Sequence, residues 1–270
     1  AGRLLYDPEK HASHRFMYGG HDPGACARLL GAHAEWLHGY PEKALASIAD
    51  SLSLAERIGH PFTLSLALTF AAVLHLNRRE SERALSLVEA VEALAAEQRL
   101  SLTLEPGILR GAALVGQGAV EEAIVHIREA VTKSTRLGRP YGLAFLAEGL
   151  ARHGDRAAAL AAVREGLEIA GTTGEHGWDA ELHRLAGPVL LAENKLNEGE
   201  ASLQQAIRIA QAQQAKSLEL RAARDLARLW SEQGRRTEAR DLVAPVYSWF
   251  TEGFDTADLK EAKALHDQLT

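Results

Sequence analysis

One repeated elbow constrains this chain more than any other feature. The stretch Gln117-Gly118-Ala119-Val120-Glu121-Glu122-Ala123-Ile124 closes one helical pattern and opens the next almost at once. The same device runs from His38-Gly39 to Ala44, from His153-Gly154 to Ala159 and from Gln233-Gly234 to Ala239, with the alanine five positions after the glycine each time. Glycine ends a helix in the left-handed backbone region without a Cβ to clash. The alanine lets the following helix fold back closely on the first. A helical hairpin cannot bury its apolar face alone, so hairpins in tandem stack into a solenoid.

Six helix pairs can be laid in this register. The small residues of the first helices are Ala32, Ala72, Gly111, Ala147, Gly187 and Ala227; the turn residues are Gly39, Arg79, Gly118, Gly154, Asn194 and Gly234. The small residues of the second helices are Ala44, Ala84, Ala123, Ala159, Gly199 and Ala239, each followed four positions later by an aliphatic: Ile48, Val88, Ile127, Val163, Leu203 and Val243. The repeat spacing is 36–40 residues. Glycine and asparagine suit a left-handed turn. Arg79 does not, and is the elbow expected to carry strain or to depart from the pattern.

First helices are predicted over 23–38, 61–77, 102–117, 140–153, 177–193 and 216–233, and second helices over 41–58, 80–98, 119–137, 155–171, 197–213 and 236–251. Asp7-Pro8 can cap a short helix reaching about His14, and Tyr18-Gly19-Gly20 begins a loop. Pro106, Pro188 and Pro245 fall inside helical patterns and should kink or delay them. A last helix, 256–269, carries Lys260, Glu261, Lys263 and Asp267 as the polar face of a solenoid cap. The expected fold is an all-α, right-handed superhelical solenoid of about six antiparallel pairs. The expected divisions are an N-terminal loop and short helix (1–21), the helix pairs (22–253) and a capping helix (254–270).

Composition narrows the function classes. The net charge is −6, which argues against direct nucleic-acid binding. The single cysteine, Cys26, excludes an intramolecular disulfide and a cysteine-rich zinc site. No apolar run has the length of a membrane span, and residues 1–20 do not read as a signal peptide, so a cytoplasmic protein with no membrane partner is expected. Neither a cofactor nor a catalytic residue is expected. The chain opens at Ala1 rather than methionine, so a piece of a longer protein is expected, with any activity in the remainder.

Leu226-Ala227, Trp230, Gly234, Ala239 and Val243 fit the helix-pair signature of the tetratricopeptide repeat, which the chain resembles in a longer-helix form. More specific stretches are Tyr18-Gly-Gly-His-Asp-Pro-Gly24, Leu37-His-Gly-Tyr-Pro41, Glu181-Leu-His-Arg-Leu185, Ala215-Lys-Ser-Leu-Glu-Leu-Arg221, and Leu229 through Glu252 with Gly253-Phe-Asp-Thr-Ala-Asp-Leu-Lys260 after it. Together these resemble the C-terminal repeat region of large bacterial signalling ATPases and nucleotide cyclase-type regulators. That resemblance implies a sensor or scaffold arm for protein–protein or interdomain interaction, separated from its cyclase and ATPase domains. No Gly-x-x-x-x-Gly-Lys-[Ser/Thr] phosphate loop occurs, in agreement. Two other classes stay open: a small-molecule inducer sensor of a transcriptional regulator, and a self-association module forming homo-oligomers.

Solenoids bind on the concave face, which first helices line. In this register the candidate groove residues are His33, Trp36, Asn77, Tyr141, Glu148, Arg152, Glu181, Arg184, Arg221, Arg224 and Arg228. They grade from an apolar N-terminal half to an arginine-rich C-terminal half, which suggests a partner with an apolar and an acidic end. The plainer reading is that the arginines and glutamates form solvated pairs one helical turn apart. His11-x-x-His14 lacks the acidic neighbours of a metal site, so no metal is expected. Cys26 reads as an inert inward thiol.

Overall fold

The computed structural model describes residues 5–7, 9–17, 20–134 and 138–270. Among these every regular element is helical, with thirteen α-helices. They are α1 (Pro23–Leu37), α2 (Pro41–Ile58), α3 (Pro61–Asn77), α4 (Ser81–Gln98), α5 (Pro106–Gln117), α6 (Val120–Lys133), α7 (Arg139–His153), α8 (Arg156–Thr173), α9 (Asp179–Ala192), α10 (Leu196–Ala212), α11 (Lys216–Glu232), α12 (Arg236–Tyr247) and α13 (Ala257–Leu269). Short 3₁₀ turns lie at Ala12–Phe16 and His176–Trp178. Pro8, Tyr18 and Gly19, and the predicted end of α6 at 135–137, lie outside the described residues. α1 to α12 form six successive hairpins, and α13 follows as a single helix.

All six elbow residues adopt the left-handed conformation, with φ of 88° at Gly39, 65° at Arg79, 87° at Gly118, 94° at Gly154, 61° at Asn194 and 82° at Gly234. Of the two outcomes expected for Arg79 the structure shows the first: it makes the same turn and carries the strain of a side chain in the left-handed region. Its strain is offset at the far end of the side chain, where Nη1 donates to Glu261 Oε1 at 2.7 Å and to Asp258 Oδ1 at 3.3 Å. Pro106 delays α5, expected from residue 102, and starts it without a kink, because a first-turn residue needs no N–H. Pro188 and Pro245 stay inside α9 and α12.

The small positions are the helix crossings, and every one is buried. A Cβ on Gly111 would sit 2.3 Å from Ile127 Cγ1 and 2.9 Å from the carbonyl oxygen of Ala123. A Cβ on Gly187 would sit 2.6 Å from Leu203 Cγ. Glycine is needed there for closeness of approach, whereas Gly118 faces open space and is needed only for its backbone angle.

The superhelix curves until its ends meet. Ser217 Oγ, at the start of α11, donates to the carbonyl of Trp36 in α1. Arg221 Nη2 donates to the carbonyl of Asn77 at the end of α3. Trp249 Nε1 donates to the carbonyl of His38 at 3.2 Å, while the His38 ring nitrogen Nδ1 lies 3.1 Å from the carbonyl oxygen of Gln214. Glu252 Oε1 accepts from the backbone N–H groups of Glu42 and Lys43, both at 3.0 Å, and Glu42 Oε1 accepts from the N–H of Gly253 at 2.9 Å. The first turn of α2, whose N–H groups have no partner in their own helix, is thus capped by a carboxylate from the other end of the chain.

Replacing Gly111 by alanine should destabilise the fold by about 1–3 kcal/mol through overpacking. Gly118→Ala should cost about 1–2 kcal/mol through backbone strain alone. Urea unfolding followed by circular dichroism measures both, and unchanged midpoints would contradict the close-crossing account.

Candidate functional site

The inner face is built by the first helices of four pairs together with α13. Leu76 of α3 and the elbow Arg79, Phe145, Glu148 and Arg152 of α7, Glu181, Arg184 and Leu185 of α9, Arg221 and Arg224 of α11, and Asp258 of α13 surround a cavity of about 170 Å³; Trp178 completes its wall. The spacing of inward positions along each helix puts residues three or four apart on this face.

The charges in this wall are paired, largely between neighbouring repeats. Arg184 grips Glu181 with two bonds, Nε to Oε2 at 2.9 Å and Nη2 to Oε1 at 2.8 Å, and reaches Asp225 Oδ2 at 2.6 Å through Nη1. Arg224 donates to Asp225 Oδ1 from Nε and Nη2 at 3.0 and 2.8 Å, and to Glu261 Oε2 from Nη1. Arg221 Nε donates to Asp258 Oδ2 at 2.7 Å; its Nη1 lies 3.5 Å from Glu181 Oε1, and the guanidinium lies over the Trp36 ring at 5.3 Å. Arg152 joins Glu148 Oε1 at 2.6 Å and the carbonyl of Val115 at 2.8 Å. The pairs predicted as solvated are instead mostly shielded, with the side chains of Arg184 and Asp225 only 14% and 8% exposed.

Burial would raise the Glu181, Asp225 and Asp258 carboxyls, but the adjoining guanidinium groups outweigh it and hold all three below the ordinary carboxylate range. Burial works against the Arg184 cation too, yet Glu181 and Asp225 more than compensate. The Tyr141 hydroxyl is pushed up by burial, opposed by the charge of Arg221. Its ring packs against Trp178 and Phe145, with centroids 4.6 and 4.9 Å away. Neither the Tyr141 hydroxyl nor Asn77 Oδ1 has a hydrogen-bond partner among the described residues.

Of the predicted groove residues the structure brings Glu148, Arg152, Glu181, Arg184, Arg221 and Arg224 to the cavity wall; Trp36, Asn77 and Tyr141 are buried behind it, the first two against Arg221 and the third against Trp178. His33 is elsewhere: its Nε2 lies 3.0 Å from the carbonyl of Phe70, bracing α1 against α3, and its ring meets Phe70 edge-on. Arg228 is exposed and off the cavity wall. Sequence reasoning missed Arg79 as a site residue, the acids Asp225 and Asp258, and the inward turn of Glu261, which was assigned to a solvated cap face. A signal was available: Arg221 and Asp258 are 37 residues apart, as are Arg224 and Glu261, while Arg184 and Asp225 are 41 apart. Opposite charges one repeat apart in register meet between adjacent first helices.

Guanidinium–carboxylate pairs can bind and orient an ionic ligand. The wall holds no hydroxyl or thiol nucleophile paired with a base. Cys26 is half-buried, its thiol pushed up by burial and by Asp22. Among the described residues no group of three or more histidine, cysteine or acidic side chains could hold a metal ion, and no helix is long and apolar enough to cross a membrane.

Burial holds the His33 imidazole down at about 4, despite the bond to Phe70. The unfolded chain takes up this proton near pH 6.5, the folded chain only near 4. His33 thus contributes stability that is complete above about pH 6.5 and is lost as pH falls toward 4. His33→Gln, which keeps a donor toward Phe70, should flatten this limb in thermal unfolding measured across the window. Asp225→Asn breaks two shielded pairs and should cost about 3–5 kcal/mol in urea unfolding.

No family model matches the chain. A curated relative, an uncharacterized protein of Rhizobium meliloti (strain 1021), is 25% identical over 241 residues, which is 87% of this chain and 23% of that protein. The chain thus spans about a quarter of that relative's length. Solved structures share the fold. NprR in complex with its cognate peptide NprX superposes with a TM-score of 0.63 at 14% identity, covering 91% of this chain and 70% of that one. A Rap protein complexed with competence and sporulation factor gives 0.59 at 11% identity, covering 90% and 72%. The apo form of the quorum sensor NprR from B. thuringiensis gives 0.58 at 14% identity, covering 91% and 70%. The chain has the tetratricopeptide-like helical-repeat fold.

Proposed function

We propose that this chain is a non-catalytic recognition arm whose concave cavity takes a peptide or protein segment and reports its presence to the rest of a larger cytoplasmic protein. In this reading residues 22–253 form the recognition body, 254–270 cap it and 1–21 lead into it. The observation that carries the reading is the cavity wall, to which four helix pairs and α13 each contribute. A ligand held there touches several repeats at once, so it favours one curvature over another and shifts the population of superhelix shapes. The likeness to NprR solved with its cognate peptide NprX supports the peptide class. The sequence resemblance supports a bacterial signalling ATPase or nucleotide cyclase as the parent, and the much longer curated relative agrees with a multidomain setting.

A second reading, a small-molecule inducer sensor, draws on the cavity volume of about 170 Å³, which in this closed shape admits a small ligand but not a folded partner.

A displayed random-peptide library selected on the chain tests the first reading. Enriched peptides should bind wild type and lose at least about tenfold in affinity on Phe145→Ala or Arg152→Ala, two lining residues whose removal leaves the helix crossings intact. A metabolite thermal-shift screen tests the second, because a tight ligand raises the melting temperature by mass action. No enrichment and no shift would sink both.

A further inference from the structure

The contacts that close the superhelix form a latch, and one member of it, Arg79, stands apart from the other cavity arginines. Arg184 and Arg224 have acidic partners on their own or an adjacent helix, and Arg221 has Asp258 on the neighbouring α13. Arg79 has none nearby: its anionic partners, Asp258 and Glu261, lie 179 and 182 residues away, across the seam between the two ends. Its side chain is also 41% exposed. If the seam parts, Asp258 keeps Arg221 and Glu261 keeps Arg224, whereas Arg79 is left a lone guanidinium at the rim of the cavity. The ends are joined by hydrogen bonds at Trp36, His38, Glu42 and Asn77, polar exchanges that water can replace, and by apolar contact of Gly39 with Phe250 and of Pro41 with Gly253. Because this contact is far smaller than that between successive helices, the seam is the lower-cost place for the ring to open.

We propose that an acidic peptide segment is the ligand of this cavity, and that its carboxylate takes Arg79 from Asp258 and Glu261 and so opens the seam. This rests on the recognition reading above and adds to it both the ligand's charge and the site of opening. A guanidinium fork binds any planar carboxylate, so exchange leaves Arg79 paired while the repulsion between ligand and the two α13 acids drives the ends apart.

Two variants separate opening from binding. Arg79→Gln and Glu261→Gln both remove the 2.7 Å pair across the seam, but only the second keeps a guanidinium at position 79, held then by Asp258 alone at 3.3 Å, to accept a ligand. The probes are fluorescein-labelled hexaglutamate and hexaglutamine, read by anisotropy on the full chain. The expected result is measurable hexaglutamate binding to wild type, at least threefold tighter binding to Glu261→Gln, none to Arg79→Gln, and no hexaglutamine binding to any of them. Hydrogen exchange at residues 36–43 and 249–253 should accelerate with hexaglutamate, and at about 1 M salt, where ion pairs are screened. The salt comparison needs no variant. Equal hexaglutamate affinity for wild type and Arg79→Gln, or seam exchange unmoved by peptide and salt, would overturn the proposal. If the library enriches only non-acidic peptides that still need Phe145, the recognition reading stands and this inference falls.

Discussion

Close helix approach through side chains with almost nothing beyond Cβ is the constraint on which the rest depends. Where Gly111 meets Ile127, or Gly187 meets Leu203, a single added carbon would overlap its neighbour. Such crossings fix each hairpin rigidly, and the left-handed elbow fixes where it folds. Repeating one rigid unit repeats one small rotation, and the summed rotation sets the curvature of the solenoid. Here it brings Trp36 and Asn77 against α11. The ion pairs of the inner face, and the cavity between them, follow from that curvature.

The charged lining is better understood as specification than as stabilisation. A shielded ion pair recovers little more than its desolvation cost, but leaving one partner alone is expensive. Arg184, gripped by Glu181 on α9 and joined to Asp225 on α11, therefore penalises any shift of α9 against α11. The apolar layer of leucines and alanines between first and second helices supplies cohesion without such exactness of register. Cohesion and alignment are thus carried by different surfaces of the same helices.

Much of the fold was legible because the elbow, the two small positions and the aliphatic are local signals repeated six times. Pro106 shows the limit of local reading: the helix was expected from residue 102, and of the two effects a proline there could have, only the structure shows that it begins the helix. The candidate site was legible in part. Inward positions such as Tyr141, Glu148 and Arg221 follow from register. The ring closure does not, since it depends on a summed rotation that no single repeat encodes. Without it, apolar Trp36 and arginine-rich α11 looked like opposite ends of an open groove, whereas Arg221 lies over the Trp36 ring. Arg79 read as a misfit because a side chain is disfavoured at a left-handed elbow; the partners that hold it there arrive from α13, beyond any local window.

The carboxylate of Glu252 on the first turn of α2 has a kinetic meaning. Most contacts join residues within a repeat or one repeat apart, whereas this one, like the others at the seam, joins distant repeats and spans 210 positions. Low sequence separation lets the hairpins form early and from any starting point along the chain. Glu252 can reach the α2 amides only after the intervening repeats have set their curvature. The far-end cap therefore acts as an assembly check: an array with a misfolded or missing repeat would hold its two ends out of register and leave those amides bare.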